Sequence, residues 1–578
     1  MNNVSENRTC QNCKKDFTIE PDDLKFYEKM KVPSPTFCSE CRLVRRLIWR
    51  NERTFYKRQC TNCGKNIISM YNSSFPHDVY CYECWWGDDW NPMTSGIDYE
   101  FSKLFFEQFQ SLFKKVPVIS LFSGGRQMNS DYCNYTANNK DCYLCFGGKD
   151  DERVLYAKNA SFCKESMDIF SGDKLELCYE NIECEGSFKL IFSKQCVNCS
   201  DSMFLYDCRN CLNCFGCTNL RNKSYCIWNE QYKREEYLEK IREFNLDKFE
   251  NLQKFKLKFE DFYEKSIHKY ANLINTQNSS GDNLLNTRNC NNCFDIFGTG
   301  SENCKYTHYV VLGVKDSYDN YGMPTAERVY ETIAIGFESN ENADYYFSNF
   351  IKGSNRIFYS YNCISSHDLF ACVGLKNKSY CILNKQYTKE EYGALVPKII
   401  KHMNDMPYID SKGRIYKYGE FFPPELSPFC YNETIAQEYF PLTKEEALKQ
   451  GYKWKEKEER NYQIDIKTEN ILLDIKEVDD SIINKVIECE HQGTCNEQCT
   501  EAFKIIPDEL KFYQRMNLPI PHLCPNCRHY NRLKQRNPLK LWHRHCMKEG
   551  CENEFETSYA PERPEIVYCE KCYQQEVY

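Results

Sequence analysis

The chain has 578 residues, with 75 Lys and Arg against 83 Asp and Glu, so its formal net charge of -8 excludes indiscriminate polyanion binding and confines any basic site to a local patch. A 41% hydrophobic content with 42 Tyr and 37 Phe supplies several folded cores, three to five on the usual size prior, and excludes a disordered polymer. The chain has no apolar run of eighteen, so no transmembrane helix is expected, and it combines 37 Cys with a polar start that lacks a secretory leader. These features point to a reducing, cytoplasmic setting in which paired cysteines hold metal.

In chain order, residues 1–97 form a double zinc module. Its first half carries Cys10 and Cys13, then Cys38 and Cys41. Its second carries Cys60 and Cys63, then Cys81 and Cys84. Two Cys-x-x-Cys turns separated by roughly 15 to 30 residues suit a tetrahedral zinc ion, and four thiolates leave no open position for water or substrate. After Cys41 the sequence RLVRRLIWRNERTFYKR sets Arg42, Arg45, Arg46, Arg50 and Arg53 at helical spacing, a candidate phosphate-contacting face. The alternative is pairing with the protein's own acidic residues. Trp85, Trp86 and Trp90 follow Cys84 and are expected to pack on the module. Residues 98–125 predict an amphipathic connecting helix whose apolar face, with Phe105 and Leu112, is interrupted by Gln108.

Residues 126–232 hold thirteen cysteines from Cys133 to Cys226, every separation a multiple of three. Period three is neither helix nor simple strand. It predicts a β-solenoid of short strands and tight corners, with small residues such as Cys stacked inside. Cys208, Cys211, Cys214 and Cys217 also suggest an iron–sulfur pattern, but the spacing and phase favour packing thiols. A helical segment, 233–279, caps this block. A second block, 280–387, is announced by CVGLKNKSYCILNKQYTKEEY, which repeats CTNLRNKSYCIWNEQYKREEY at an offset of 155 and replaces Cys211 and Cys214 by Ser366 and Leu369. Thr388 and Glu391 predict a capping box opening a helical or irregular cap over 388–454, with a further short helix after Thr443. The charged stretch 455–485 reads as a linker.

Residues 486–578 repeat the N-terminal design. FKIIPDELKFYQRMNLPIPHLCPNCR matches FTIEPDDLKFYEKMKVPSPTFCSECR at an offset of 486. The ligand sets become Cys495, Cys499, Cys524 and Cys527, then Cys546, Cys551, Cys569 and Cys572. Cys489 and His491 compete with Cys495 for one place. Arg528, Arg532 and Arg536 repeat the basic stripe.

The shared pattern C-x2-C-x3-F, FY, P-x-P-x2-C-x2-C-R resembles a zinc-ribbon family of treble-clef type over about forty residues at each end. The resemblance implies a zinc knuckle, a hairpin, a helix starting at the second Cys pair and sequential ligand pairing. The larger arrangement resembles uncharacterised cysteine-rich bacterial proteins. The expected fold is therefore multidomain and mainly β. Treble-clef modules at both termini flank a Cys-rich β-solenoid in two blocks with capping helices. About four Zn2+ per chain are expected.

A structural and interaction protein binding a macromolecular partner, protein or nucleic acid, is the leading reading. Nucleic-acid binding through the arginines and a thiol-redox or iron–sulfur role are the alternatives. No phosphate loop, HExxH or GxSxG motif occurs, so neither an enzyme nor a small-molecule substrate is expected, and no membrane partner.

Overall fold

The structure is a computed structural model that describes residues 5–125, 127–298, 300–323, 326–333, 345–348, 351–457 and 463–578. It is mainly β, with many sheets, and the described residues also form twelve α-helices. None of these helices is long and apolar enough to cross a membrane. The chain divides into two interleaved units. One comprises Met1–Leu121, Ala271–Glu456 and Leu539–Leu541; the other comprises Phe122–Tyr270, Lys457–Pro538 and Trp542–Tyr578. The N-terminal cysteine module thus shares a unit with the second repeat block, and the C-terminal module with the first.

In the unit built on the first block, nine strands lie in strict sequence order in one sheet, and the eight running from Phe146–Lys149 to Ser224–Ile227 pair in parallel. Each of these rungs sits twelve residues after the last, as in Phe146 opposite Lys158 and Ser200 opposite Leu212. Every third residue from Tyr135 to Trp228 has left-handed φ, including bulky Leu144, Phe162 and Phe204. Twelve residues per rung with a turn every three give four corners per coil. A left-handed L-residue costs about 1 kcal/mol, so so many are held only because parallel hydrogen bonds fix each corner to its neighbours. Asn, Asp and Gly take corners at low cost. Exposed side chains stack twelve apart, as Asn138 on Asp150 and Asn210 on Asn222.

The residue after each corner points inward, so the cysteine phase is the inside of the coil. The core holds Cys145, Cys163, Cys178, Cys196 and Cys208 with Val154, Ile169 and Leu190, all nearly inaccessible. These thiols use their hydrogens. Cys142 Sγ donates to the carbonyls of Lys140 and Asp151, both at 3.4 Å. Serines in the same phase do the same and also accept. Ser166 Oγ donates to Lys164 O at 2.7 Å and receives the Cys178 N–H at 3.1 Å. Cys and Ser are interchangeable here because both are small and both reach the corner carbonyl.

Helices Arg234–Glu243 and Phe249–Glu264 lie on the end of this block, packing around Phe204, Phe215 and Ile227. The 455–485 stretch expected as a linker is instead packed, apart from 458–462, which lie outside the described residues. Ile471, Ile475, Val478 and Ile482 are buried in one cluster with Tyr156, Met167 and Tyr179 of the coil face. Their spacing follows 3-10 turns rather than a helix or strand, so no period announced them.

In the other unit, the second block begins at Leu273 rather than 280 and runs to Gln386, with 334–344 outside the described residues. Its rungs are uneven, with Leu273 opposite Leu284 but Thr287 opposite Ser301. The Thr388 box is formed as expected. Its hydroxyl receives the Glu391 N–H at 3.2 Å, Glu391 returns to the Thr388 N–H at 2.9 Å, and the helix Lys389–Asp405 follows. The connecting helix covers Phe105–Lys115. Gln108 on its buried face is satisfied by the Glu100 N–H and by the carbonyls of Glu100 and Lys103. Trp85, Trp86 and Trp90 surround the Lys376 ammonium at 4.0, 4.9 and 5.2 Å from their ring centres. Burial holds that amine down at about 8.

Candidate metal centres

Four groups of four cysteines bring their sulfurs within 4.8 Å of one another: Cys10, Cys13, Cys38 and Cys41; Cys60, Cys63, Cys81 and Cys84; Cys489, Cys499, Cys524 and Cys527; Cys546, Cys551, Cys569 and Cys572. Each group is able to hold a metal ion. The local construction is shared. A short hairpin presents the first pair, as Glu6–Thr9 with Asp16–Ile19 presents Cys10 and Cys13. The second pair opens a helix, with Cys38, Cys81, Cys524 and Cys569 as N-caps. The N–H of each N-cap cysteine donates to the first sulfur of its group. These are Cys38 to Cys10 at 3.3 Å, Cys81 to Cys60 at 3.2 Å, Cys524 to Cys489 at 3.2 Å and Cys569 to Cys546 at 3.3 Å. A helix N-terminus and N–H donors favour thiolate over thiol.

The electrostatics divide each group. Burial opposes ionisation of Cys60, yet the Cys63 and Cys81 N–H groups bring it to about 7. Burial likewise opposes Cys569, and the Asn553 amide brings it to about 6. Cys489 lowers Cys499 to about 6, while Cys38 is pushed up to about 12 by its hydrogen bond to Cys10. In the third group Cys524 is lowered together with Cys499 while Cys489 and Cys527 resist, and in each of the other groups a single sulfur is lowered, the division expected of four crowded thiols.

The third group replaces Cys495 by Cys489. Cys489 takes the place of Cys10: its N–H donates to Glu501 O at 2.7 Å, as Cys10 does to Lys15 O at 2.9 Å, and Glu501 is Lys15 at the 486 offset. The hairpin pairs Ile487 with Phe503 where the N-terminal one pairs Arg8 with Phe17. Nine residues lie between Cys489 and Cys499 against two between Cys10 and Cys13, an insertion of seven that hid the ligand from a Cys-x-x-Cys search. Cys495 instead joins a fifth group with His491, Glu497 and Cys527. Among the described residues the Cys208–Cys217 run is not one of the converging groups. Its sulfurs face corner carbonyls, as Cys208 to Tyr206 O at 3.5 Å.

The arginines do not form an exposed stripe. Arg42, Arg45 and Arg46 are at most 2% exposed. Arg42 meets Asp319 at 3.0 Å, Arg45 meets Glu331 at 2.6 Å and Glu420 at 2.7 Å, and Arg46 meets Asp319 at 3.2 Å. Three cations thus face three carboxylates that are themselves buried. Arg50 pairs with Glu52 at 2.6 Å, and Arg53 is half-buried. In the other unit Arg528 and Arg532 meet Asp168 at 3.0 and 2.8 Å, Arg528 also meets Glu509 at 3.3 Å, and Arg536 approaches Glu183 at 3.5 Å. The helix spacing was legible. Most of its carboxylate partners, hundreds of residues away, were not. A cavity of about 690 Å³ lies between the Phe249–Glu264 helix and the coil face, lined by Phe192, Phe204, Phe259, Lys256, Glu260 and others, with no cysteine in its wall.

Comparison with family models, with curated proteins and with solved structures finds no match to this chain.

Proposed function

We propose that the protein is a zinc-stapled scaffold that binds a macromolecular partner, a protein, along its repeat surface. The four tetracysteine groups would each hold Zn2+. A Zn–S bond of about 2.3 Å sets the edge of a sulfur tetrahedron at about 3.8 Å. The sulfur pairs Cys13–Cys38 at 3.7 Å, Cys63–Cys81 at 3.9 Å, Cys489–Cys527 at 3.9 Å and Cys551–Cys569 at 3.9 Å match that edge, and this match carries the reading. Such centres are closed, so their role is to fix the hairpin and the helix, each of which lacks a large core of its own.

The two parallel ladders read as β-solenoids, supported by the left-handed corner residues in both and by the inward sulfur column. Each arginine helix then docks a zinc module on the flank of a coil through a neutralised ion cluster. That engagement leaves little of the arginine face for phosphate and weakens the nucleic-acid alternative. The exposed Asn and Asp stacks offer the regular array that repeat proteins use for recognition. Inward S–H groups that donate to carbonyls support a reducing compartment.

The test is metal analysis of the full chain purified without added metal, with a mobility-shift assay on duplex DNA at low salt. Zinc at the four tetracysteine groups, no iron and no shift are expected. Iron with acid-labile sulfide would replace this reading by a redox one, and steeply salt-dependent DNA binding would replace it by the nucleic-acid one.

A further inference from the structure

We propose that the C-terminal module holds a second metal ion beside its tetracysteine centre, bound by His491, Cys495, Glu497 and Cys527, with the Cys527 thiolate bridging the two ions. The inference rests on the reading of Cys489, Cys499, Cys524 and Cys527 as a zinc centre. The four ligand atoms lie within 4.8 Å of one another. The Cys495 and Cys527 sulfurs are 3.8 Å apart, the same edge as within the tetracysteine groups.

The side chains are arranged as ligands rather than as a hydrogen-bonded cluster. Glu497 is 6% exposed. One of its carboxylate oxygens is held by the Lys534 ammonium. The other, Oε2, is buried 3.2 Å from His491 Nδ1, yet neither atom makes a hydrogen bond. Two buried polar atoms that lack a hydrogen bond, and that pair with each other only when the imidazole is protonated, lie together with two sulfurs, and a cation among them would satisfy all four. Lys534 leaves Glu497 one oxygen for a metal and fixes its direction, as an outer hydrogen bond does for a ligating carboxylate.

The sequence supplies an independent reason. His491, Cys495 and Glu497 all lie in the seven-residue insertion that separates this module from its N-terminal copy, where Cys10 and Cys13 stand two residues apart. The loop is longer than hairpin closure needs, and it brings three ligand types to one sulfur of an existing centre. One imidazole, two thiolates and one carboxylate suit a borderline divalent ion such as Zn2+. Five thiolates and a carboxylate shared by two such ions leave a net charge of -2, the same as one zinc in four thiolates.

The test loads the full chain with 113Cd and counts bound ions and resonances. Five ions are expected, two of them showing Cd–Cd coupling through the Cys527 sulfur. Cys495→Ala with His491→Ala should leave four ions and no coupling. Glu497→Gln should weaken the fifth ion at least tenfold and leave the other four unchanged. Four ions with no coupled pair in the unaltered chain would overturn the second site and leave the four-centre reading standing. Fewer than four would overturn both.

Discussion

The two repeat ladders are built alike inside and differ in the length of their coils. In the first, rungs step by twelve residues without exception from Phe146–Lys158 to Ser224. In the second, Leu273 faces Leu284, Thr287 faces Ser301, Glu302 faces Lys315 and Val329 faces Tyr345, steps of 11, 14, 13 and 16. Yet Cys290, Cys293, Cys304, Cys363, Cys372 and Cys381 are all buried in its core, as the first ladder's cysteines are in theirs. A regular sequence period therefore reports constant coil length rather than inward packing. Extra residues are absorbed at corners while the inner column is kept.

The largest effect expected from a substitution concerns what the two halves share. Asp168 and Asp319 each neutralise two buried arginines, at 2.8–3.0 Å in one unit and 3.0–3.2 Å in the other. Asp168→Ala and Asp319→Ala should each cost about 3–5 kcal/mol, because an uncompensated guanidinium stays buried. Equal losses in urea unfolding would show that docking is independent of coil regularity. A small loss at Asp319 alone would mean that Glu331 and Glu420 suffice there. For the same reason Arg45→Glu with Arg46→Glu would unfold the module rather than report on nucleic-acid binding.

The contrast between ladders also explains how much was legible. Three tetracysteine groups could be read in full, and the third in three of its four ligands, because short-range spacing fixes a metal turn, and the capping box at Thr388 and the short helix after Thr443 because a cap is local. The first ladder was visible because twelve is a multiple of three. The second was visible through its terminal copy, and its start was placed seven residues late because the first step is eleven. Cys489 stood only as a competitor to Cys495 because an insertion broke the motif, while the hairpin that carries it was preserved. The arginine faces were seen, and pairing with the protein's own acidic residues stood as the alternative to a phosphate role, but the particular carboxylates were not legible. A carboxylate at Asp168 or Asp319 looks like any corner residue until the coil brings it under a helix.

Acid should separate the halves further. Burial holds His268, in the unit of the first ladder, down at about 3, with Lys194 and Arg563 acting in the same direction. His522 of that unit is held at about 4 by burial, as is His77 of the other. The unfolded imidazole titrates near 6.5, so below that pH the unfolded state takes up the proton first. Stability is then lost as pH falls from 6.5 toward 3, by about 3 kcal/mol at pH 4 for His268. The stability difference between the unaltered chain and His268→Phe should move toward the variant by that amount between pH 7 and pH 4. Metal release is common to both proteins and cancels. A difference constant with pH would show that His268 takes up its proton as readily in the folded as in the unfolded state.

The smallest effects come from exchanging residues between the ladders themselves. Cys211 Sγ donates to Arg209 O at 3.5 Å and Leu220 O at 3.6 Å. Its counterpart Ser366 donates to Ile364 O at 2.8 Å and receives the Lys378 N–H at 3.1 Å. Cys211→Ser should therefore change stability by less than about 1 kcal/mol, since the hydroxyl finds the same corner carbonyl. Cys214→Leu should cost about 1–3 kcal/mol. Leu369 fits between Ile357 and Cys381 in the second ladder, whereas Cys214 stands beside Ser202 and Cys226 on coils set for smaller side chains. Shape would then rank the two substitutions, with leucine worse than serine and metal content unchanged in both. The reverse order, with serine the damaging change and metal lost with it, would mean that the sulfur at Cys211 is held for its chemistry and that the first ladder is more than a column of well-packed thiols.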